Sequence, residues 1–206
     1  MDGHFLTSAE ELTEFYEAPS EMVMKKQIDF LDEGCRGFLE ASPFFMLATF
    51  GESGADCSPR GDEPGFVGIS DDGKTLLIPD RAGNNRLDSL RNIVENPNIG
   101  LLFLVPGITY TLRVNGRARL SVEPGLLERF TTTGKVPRTV IVVSVSEAYT
   151  QCARAILRAD IWNPEKLAEK GAVPTMGAML AAHTNGGVEA EKYDVFDREK
   201  LAKNLH

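Results

Sequence analysis

Arg60, Arg81 and Arg86 stand in two short stretches rich in glycine, proline and asparagine. A guanidinium beside permissive backbone is suited to gripping an anion, because its planar fork donates two parallel hydrogen bonds. In Pro79-Asp80-Arg81-Ala82-Gly83-Asn84-Asn85-Arg86-Leu87-Asp88-Ser89-Leu90-Arg91 the apolar run Thr75 to Ile78 stops at Pro79 and the chain turns at Gly83. A helix is expected from near Asn84, with Arg86 in its first turn. A cation there opposes the helix dipole unless an anion joins it. Free N–H groups, the positive helix end and Arg86 together favour a phosphate. The other reading is a helix capped by asparagine with solvated arginines.

The second stretch is Cys57-Ser58-Pro59-Arg60-Gly61-Asp62-Glu63-Pro64-Gly65. Its glycines permit close backbone approach to a flat ligand, and Arg60 offers its fork to a phosphate or carbonyl oxygen. A rigid loop in which Arg60 pairs with Asp62 or Glu63 fits the composition equally well. Two further patterns carry polar residues at regular spacing. Leu112 to Ala118 alternates Arg113, Asn115 and Arg117 along one strand face, and Arg154, Arg158 and Trp162 recur four apart in a helical pattern. Each fits a wet surface as well as a ligand or subunit contact.

Several chemistries lack their residues. Cys35, Cys57 and Cys152 are scattered, and His4, His183 and His206 lie near the ends or in a polar segment, so no metal site is expected. There is no G-x-S-x-G elbow, no G-x-x-x-x-G-K-[ST] loop and no G-x-G-x-x-G turn. Serine hydrolysis, P-loop chemistry and a Rossmann dinucleotide site are thereby disfavoured.

The elements that must position these residues are mostly short strands. The first forty residues read as helical, with capping-box spacing at Ser8-Ala9-Glu10-Glu11 and Met24, Ile28, Leu31, Cys35, Phe38 and Leu39 on one face. Residues 44–50 and 55–60 form a hairpin around Gly51-Glu52-Ser53-Gly54, and residues 66–70 and 75–78 form another around Asp71-Asp72-Gly73-Lys74. Strands are expected over 99–105, 109–122 and 139–145, with helices over about 124–132 and 147–159. Six to seven short strands joined mostly by hairpins suggest a small closed barrel. The organisation expected is a helical segment over residues 1–42, a barrel over 43–162 and a C-terminal extension over 163–206 of the same unit.

The chain has 206 residues, 42% hydrophobic and 25% charged, enough for a substantial core. Its net charge of −8 argues against nucleic-acid binding. No apolar run is long enough for a membrane span, and the first residues lack a secretory pattern, so a cytoplasmic location is expected.

The order of motifs resembles the pyridoxamine 5′-phosphate oxidase-like FMN-binding split-barrel superfamily, in its branch of FMN-dependent enzymes. The resemblance is carried by Ser58-Pro59-Arg60-Gly61-Asp62-x-Pro64-Gly65-Phe66, by Leu76 to Leu90, by Gly100-Leu101-Leu102-Phe103-Leu104-x-Pro106-Gly107 and by Leu112 to Ala118. It ends with Cys152-Ala153-x-Ala155-x-x-Arg158-x-x-x-Trp162 and covers residues 10 to 165. It implies a mainly β fold with flanking helices: a six-stranded antiparallel split β-barrel that forms a homodimer, with two FMN sites at the subunit interface.

The resemblance also implies site residues. Ser58, Pro59, Arg60 and Gly61 would line the flavin together with Pro79 and Asp80. Asn85 and Arg86 would grip the phosphate, and Thr111 would reach in from the neighbouring subunit. Arg158 and Trp162 would contact cofactor or partner. No catalytic side chain is assigned. The tail beyond residue 162 lacks the substrate motifs of the true oxidases, so vitamin B6 oxidation is not implied. The expected activity is an FMN-dependent oxidoreductase acting on a small molecule, with NAD(P)H a possible electron donor. The alternative is a non-catalytic flavin carrier or redox sensor. The superfamily also includes deazaflavin-using and haem-associated proteins.

Overall fold

Residues 4–203 are described by a computed structural model, with side chains to residue 196. The strands are β1 (Phe44–Gly51), β2 (Gly54–Gly61), β3 (Gly68–Ile69), β4 (Thr75–Pro79), β5 (Asn98–Leu104), β6 (Thr111–Ser121) and β7 (Val140–Gln151). The helices are α1 (Glu21–Lys25), α2 (Glu33–Ala41), α3 (Asp88–Glu95), α4 (Pro124–Arg129), α5 (Arg154–Ala159), α6 (Met176–His183) and α7 (Ala190–Lys203). All strand pairs are antiparallel, in the order β2-β1-β5-β6-β7-β4-β3. The strands at the two ends, β2 and β3, do not pair with each other, so the barrel is split open along one seam and not closed as the hairpin pattern suggests. Seven strands are present, where the residue patterns suggest six to seven and the resemblance implies six. The strand expected over residues 66–70 is reduced to the two-residue β3, which pairs Gly68 with Leu77 and Ile69 with Leu76.

Period-2 alternation places one face of each long strand inside. Phe45 and Leu47 of β1, Leu101 and Phe103 of β5, Leu112 and Val114 of β6, and Ile141 and Val143 of β7 are buried in one cluster. Phe45 packs against Phe103 at 4.6 Å between ring centres and stacks on Phe66 at 5.7 Å. Leu39 of α2 and Leu90 and Ile93 of α3 belong to the same core. Each such side chain contributes about 1.5–3 kcal/mol by leaving water. At a bulge in β6 a Cβ on Gly116 would lie 2.3 Å from the Ser144 carbonyl oxygen, so only glycine fits there.

Three expected elements differ. The N-terminal helix is broken into a 3-10 turn (Glu10–Glu14), α1 and α2. Ile28 leaves the helical face to bridge Ala148, and Asp32 restarts the helix by accepting from the Cys35 N–H at 2.8 Å. Residues 147–151 are strand, not helix, because Tyr149 and Thr150 continue the ladder opposite Arg113 and Leu112. The helix expected from Asn84 begins at Asp88. In the C-terminal extension α6 and α7 pack on each other, with the Gly177 N–H donating to Asp194 Oδ1 at 2.8 Å. Among the described residues no helix is long and apolar enough to cross a membrane.

Candidate functional site

The seam of the barrel is bridged by side chains. Arg60 points from β2 to Asp80, just past β4, with Nη1 3.0 Å from Oδ1. Arg81 reaches back to Asp62, with Nε 2.6 Å from Oδ2, and also donates to the Phe130 carbonyl at 2.7 Å and to Thr132 Oγ1 at 3.1 Å. These ion pairs tie β2 and its following loop to the end of β4 and to the loop after α4. Pro79 lacks an N–H, so β4 ends there; the Asp80 N–H adds one more bond to Thr139 before the chain departs from the sheet.

Beyond Arg81 the backbone is irregular, from residue 82 to residue 87. Asn84 Oδ1 accepts from the Arg86 N–H at 3.0 Å, which folds the segment into an Asx turn. Asn85 and Leu87 both adopt left-handed backbone, at φ 60° and 63°. Asparagine tolerates that region, whereas leucine is rarely found there and carries strain. Leu87 is the N-cap of α3 and offers no side-chain acceptor to the first N–H groups.

The two arginine-bearing stretches and the start of α3 enclose one cleft of about 550 Å³, within the usual range for small-molecule sites. Ser58, Pro59, Arg60, Gly61, Pro79, Asp80, Asn85 and Arg86 all line it. Thr111 does not: it is buried at the start of β6, only 7% exposed. Arg158 is exposed on α5, and the Trp162 indole donates to the Ile108 carbonyl at 2.8 Å; neither borders the cleft.

Arg86 lies two residues before α3, not within its first turn, and its guanidinium pairs with Asp88, the first residue of that helix. The anion that offsets the expected clash between Arg86 and the helix dipole is thus supplied by the chain itself. Three further lining residues were not singled out by sequence. Ser89 donates to Asp56 Oδ2 at 2.6 Å, and Arg138, just ahead of β7, donates to Asn85 Oδ1 at 2.9 Å. Their signals are weak, since Asp56 and Ser89 are ordinary strand and helix residues and Arg138 is over fifty residues from its partner in sequence.

Asp80 is the perturbed acid of the cleft. Burial pushes its carboxyl above the usual range, and the nearby Arg60 and Arg138 guanidiniums only partly offset that. Arg60 Nε is itself buried without a hydrogen-bond partner. An orphaned guanidinium N–H and an uncapped helix start are donors suited to a phosphorylated flavin, so the residues fit FMN. Among the described residues no group of three or more His, Cys, Asp or Glu side chains is placed to hold a metal ion.

Solved structures similar to this chain include a HupZ variant from Group A Streptococcus, at 20% identity over 59% of this chain and 99% of that one, TM-score 0.47. A candidate pyridoxamine 5′-phosphate oxidase from Lactobacillus delbrueckii is 18% identical over 59% and 95% of the two chains, TM-score 0.46. A NimC/NimA family protein from Clostridium acetobutylicum is 16% identical over 58% and 86%, TM-score 0.42. No curated protein matches the chain in sequence. The model of the pyridoxamine 5′-phosphate oxidase family matches residues 31–152, from the segment ahead of α2 to the end of β7. That match spans more than half of the sequence and holds both arginine stretches, and the chain therefore belongs to the pyridoxamine 5′-phosphate oxidase family.

Proposed function

We propose that this protein binds FMN in the seam cleft, as a homodimer in the cytoplasm, and acts as an FMN-dependent oxidoreductase on a small molecule. The observation that carries this reading is the convergence of Arg60, Arg81, Arg86 and Arg138 with the start of α3 around one cleft in a protein of this family. Bound FMN would supply hydride transfer at its ring N5. The chain's own residues bind and orient. Ser58 to Gly61 form a wall that a flat ring can approach closely, with Arg60 placing positive charge beside it. Asn85, Arg86, Arg138 and the α3 N–H groups receive the phosphate. Asp80, with its proton affinity raised by burial, can accept and hold a proton at its carboxylate better than a solvated aspartate.

Anaerobic addition of NADH or NADPH to the FMN-loaded protein tests the reading by absorbance. Bleaching of the bound flavin, restored by air or an added acceptor, identifies the oxidoreductase. Flavin that binds but resists both donors identifies the carrier or redox sensor instead. A protein that takes up no FMN overturns both.

A further inference from the structure

Three of the four arginines around the cleft are already matched by a carboxylate: Arg60 by Asp80, Arg81 by Asp62 and Arg86 by Asp88. Arg138 differs. It donates to a neutral amide, Asn85 Oδ1 at 2.9 Å, and among the described residues no carboxylate lies within ion-pair distance of it. Asp80 feels its charge only at longer range. The Arg138 side chain is exposed at the cleft rim, and it arrives from the loop ahead of β7, opposite the segment that bears Asn85 and Arg86. A ligand phosphate that approached Arg86 would compete with Asp88 for the same guanidinium. One that approached Arg138 would displace no anion, and the neutral Asn85 contact already holds that guanidinium toward the cleft.

We propose that Arg138 is the specificity-determining residue of the cleft, the guanidinium that distinguishes a phosphate monoester ligand from its uncharged counterpart, with Arg86 subordinate to it. This rests on the FMN reading above and deepens it by naming the group that selects the phosphate. Asn85, held at φ 60° beside Arg138, is then the positioning residue for that guanidinium.

The full chain, freed of flavin, is titrated with FMN and with riboflavin by flavin-fluorescence quenching, and with inorganic phosphate by calorimetry. Wild type is compared with Arg138→Ala, Arg138→Lys and Arg86→Ala, each checked for an unchanged circular-dichroism spectrum. Loss of a charged hydrogen bond predicts at least about tenfold weaker FMN binding for Arg138→Ala. Riboflavin affinity should stay within about twofold, Arg138→Lys should recover part of the FMN loss, and Arg86→Ala should lose less than about fivefold. The proposal is overturned by unchanged FMN affinity in Arg138→Ala, by an equal loss for riboflavin, by an equal loss in Arg86→Ala, or by a lysine variant no better than alanine. If wild type binds phosphate but neither flavin, the FMN reading fails while Arg138 is still judged by whether Arg138→Ala abolishes phosphate binding. Binding of none of the three overturns both.

Discussion

Arg60 Nη1 lies 3.0 Å from Asp80 Oδ1, joining the β2 end of the sheet to the residue after β4 across the open seam of the barrel. The pair is no simple gain in stability. Burial raises the Asp80 carboxyl above its ordinary value of 3.8 despite the attraction of Arg60 and Arg138. The folded protein therefore holds this proton more tightly than the unfolded chain does. The stabilisation is full below 3.8 and is lost as pH rises through the raised value. Ionisation of Asp80 therefore works against folding.

Asp80→Asn, which keeps the shape of the neutral acid, should accordingly melt at or slightly above the wild-type temperature at pH 7. The difference should close as pH falls below about 3.8. Calorimetric melting at several pH values measures this, and a melting temperature several degrees below wild type at pH 7 would refute it.

Arg81 has the opposite balance. Its guanidinium satisfies Asp62, whose side chain is only 4% exposed, and fastens the loop after α4 through Phe130 and Thr132. Arg81→Ala should cost about 2–4 kcal/mol in denaturant unfolding, because it leaves a buried carboxylate with less compensation. Arg81→Lys should recover only part, since an ammonium cannot serve three acceptors in the same planar geometry. A loss under about 0.5 kcal/mol for the alanine variant would mean that the clamp carries no weight.

The cysteines give a chemical check on the fold. Cys35 is buried on α2, and burial together with the neighbouring Asp32 pushes its thiol up to about 11. Cys57 and Cys152 are exposed, and Cys57 borders the cleft. At pH 8 a thiol reagent should modify Cys57 and Cys152 in the native protein and reach Cys35 only after denaturation. Peptide mapping after brief labelling reads this, and early modification of Cys35 would contradict its placement in the core.

Much of the barrel was legible because alternation survives in Phe44 to Phe50, Ile99 to Leu104 and Leu112 to Ala118, where one face is buried and the other is not. The loop residues Gly51 to Gly54 and Asp71 to Lys74 likewise announced their turns. Residues 147–151 misled because the spacing of Tyr149, Cys152, Ala153 and Ile156 imitates a helix. Their strand state is set by pairing with β6, thirty-odd residues away in sequence. The start of α3 was misplaced for a local reason: Asn84 uses its side chain for an Asx turn, and Leu87 takes a left-handed conformation that no propensity favours. Arg60, Asp80 and Arg86, which line the cleft, are marked in the sequence by chain breaks and the order of motifs. Arg138 carried no such mark, because its role depends on which arginines lack a carboxylate, and only the fold determines that.

Assignment of the seam cleft as a flavin-phosphate site is tested most directly by equilibrium titration of the flavin-free full chain with FMN, in competition with riboflavin. Saturable binding at one FMN per chain, with riboflavin at least about tenfold weaker, is the predicted result. Equal affinity for the two, or no saturable binding of FMN, would contradict it.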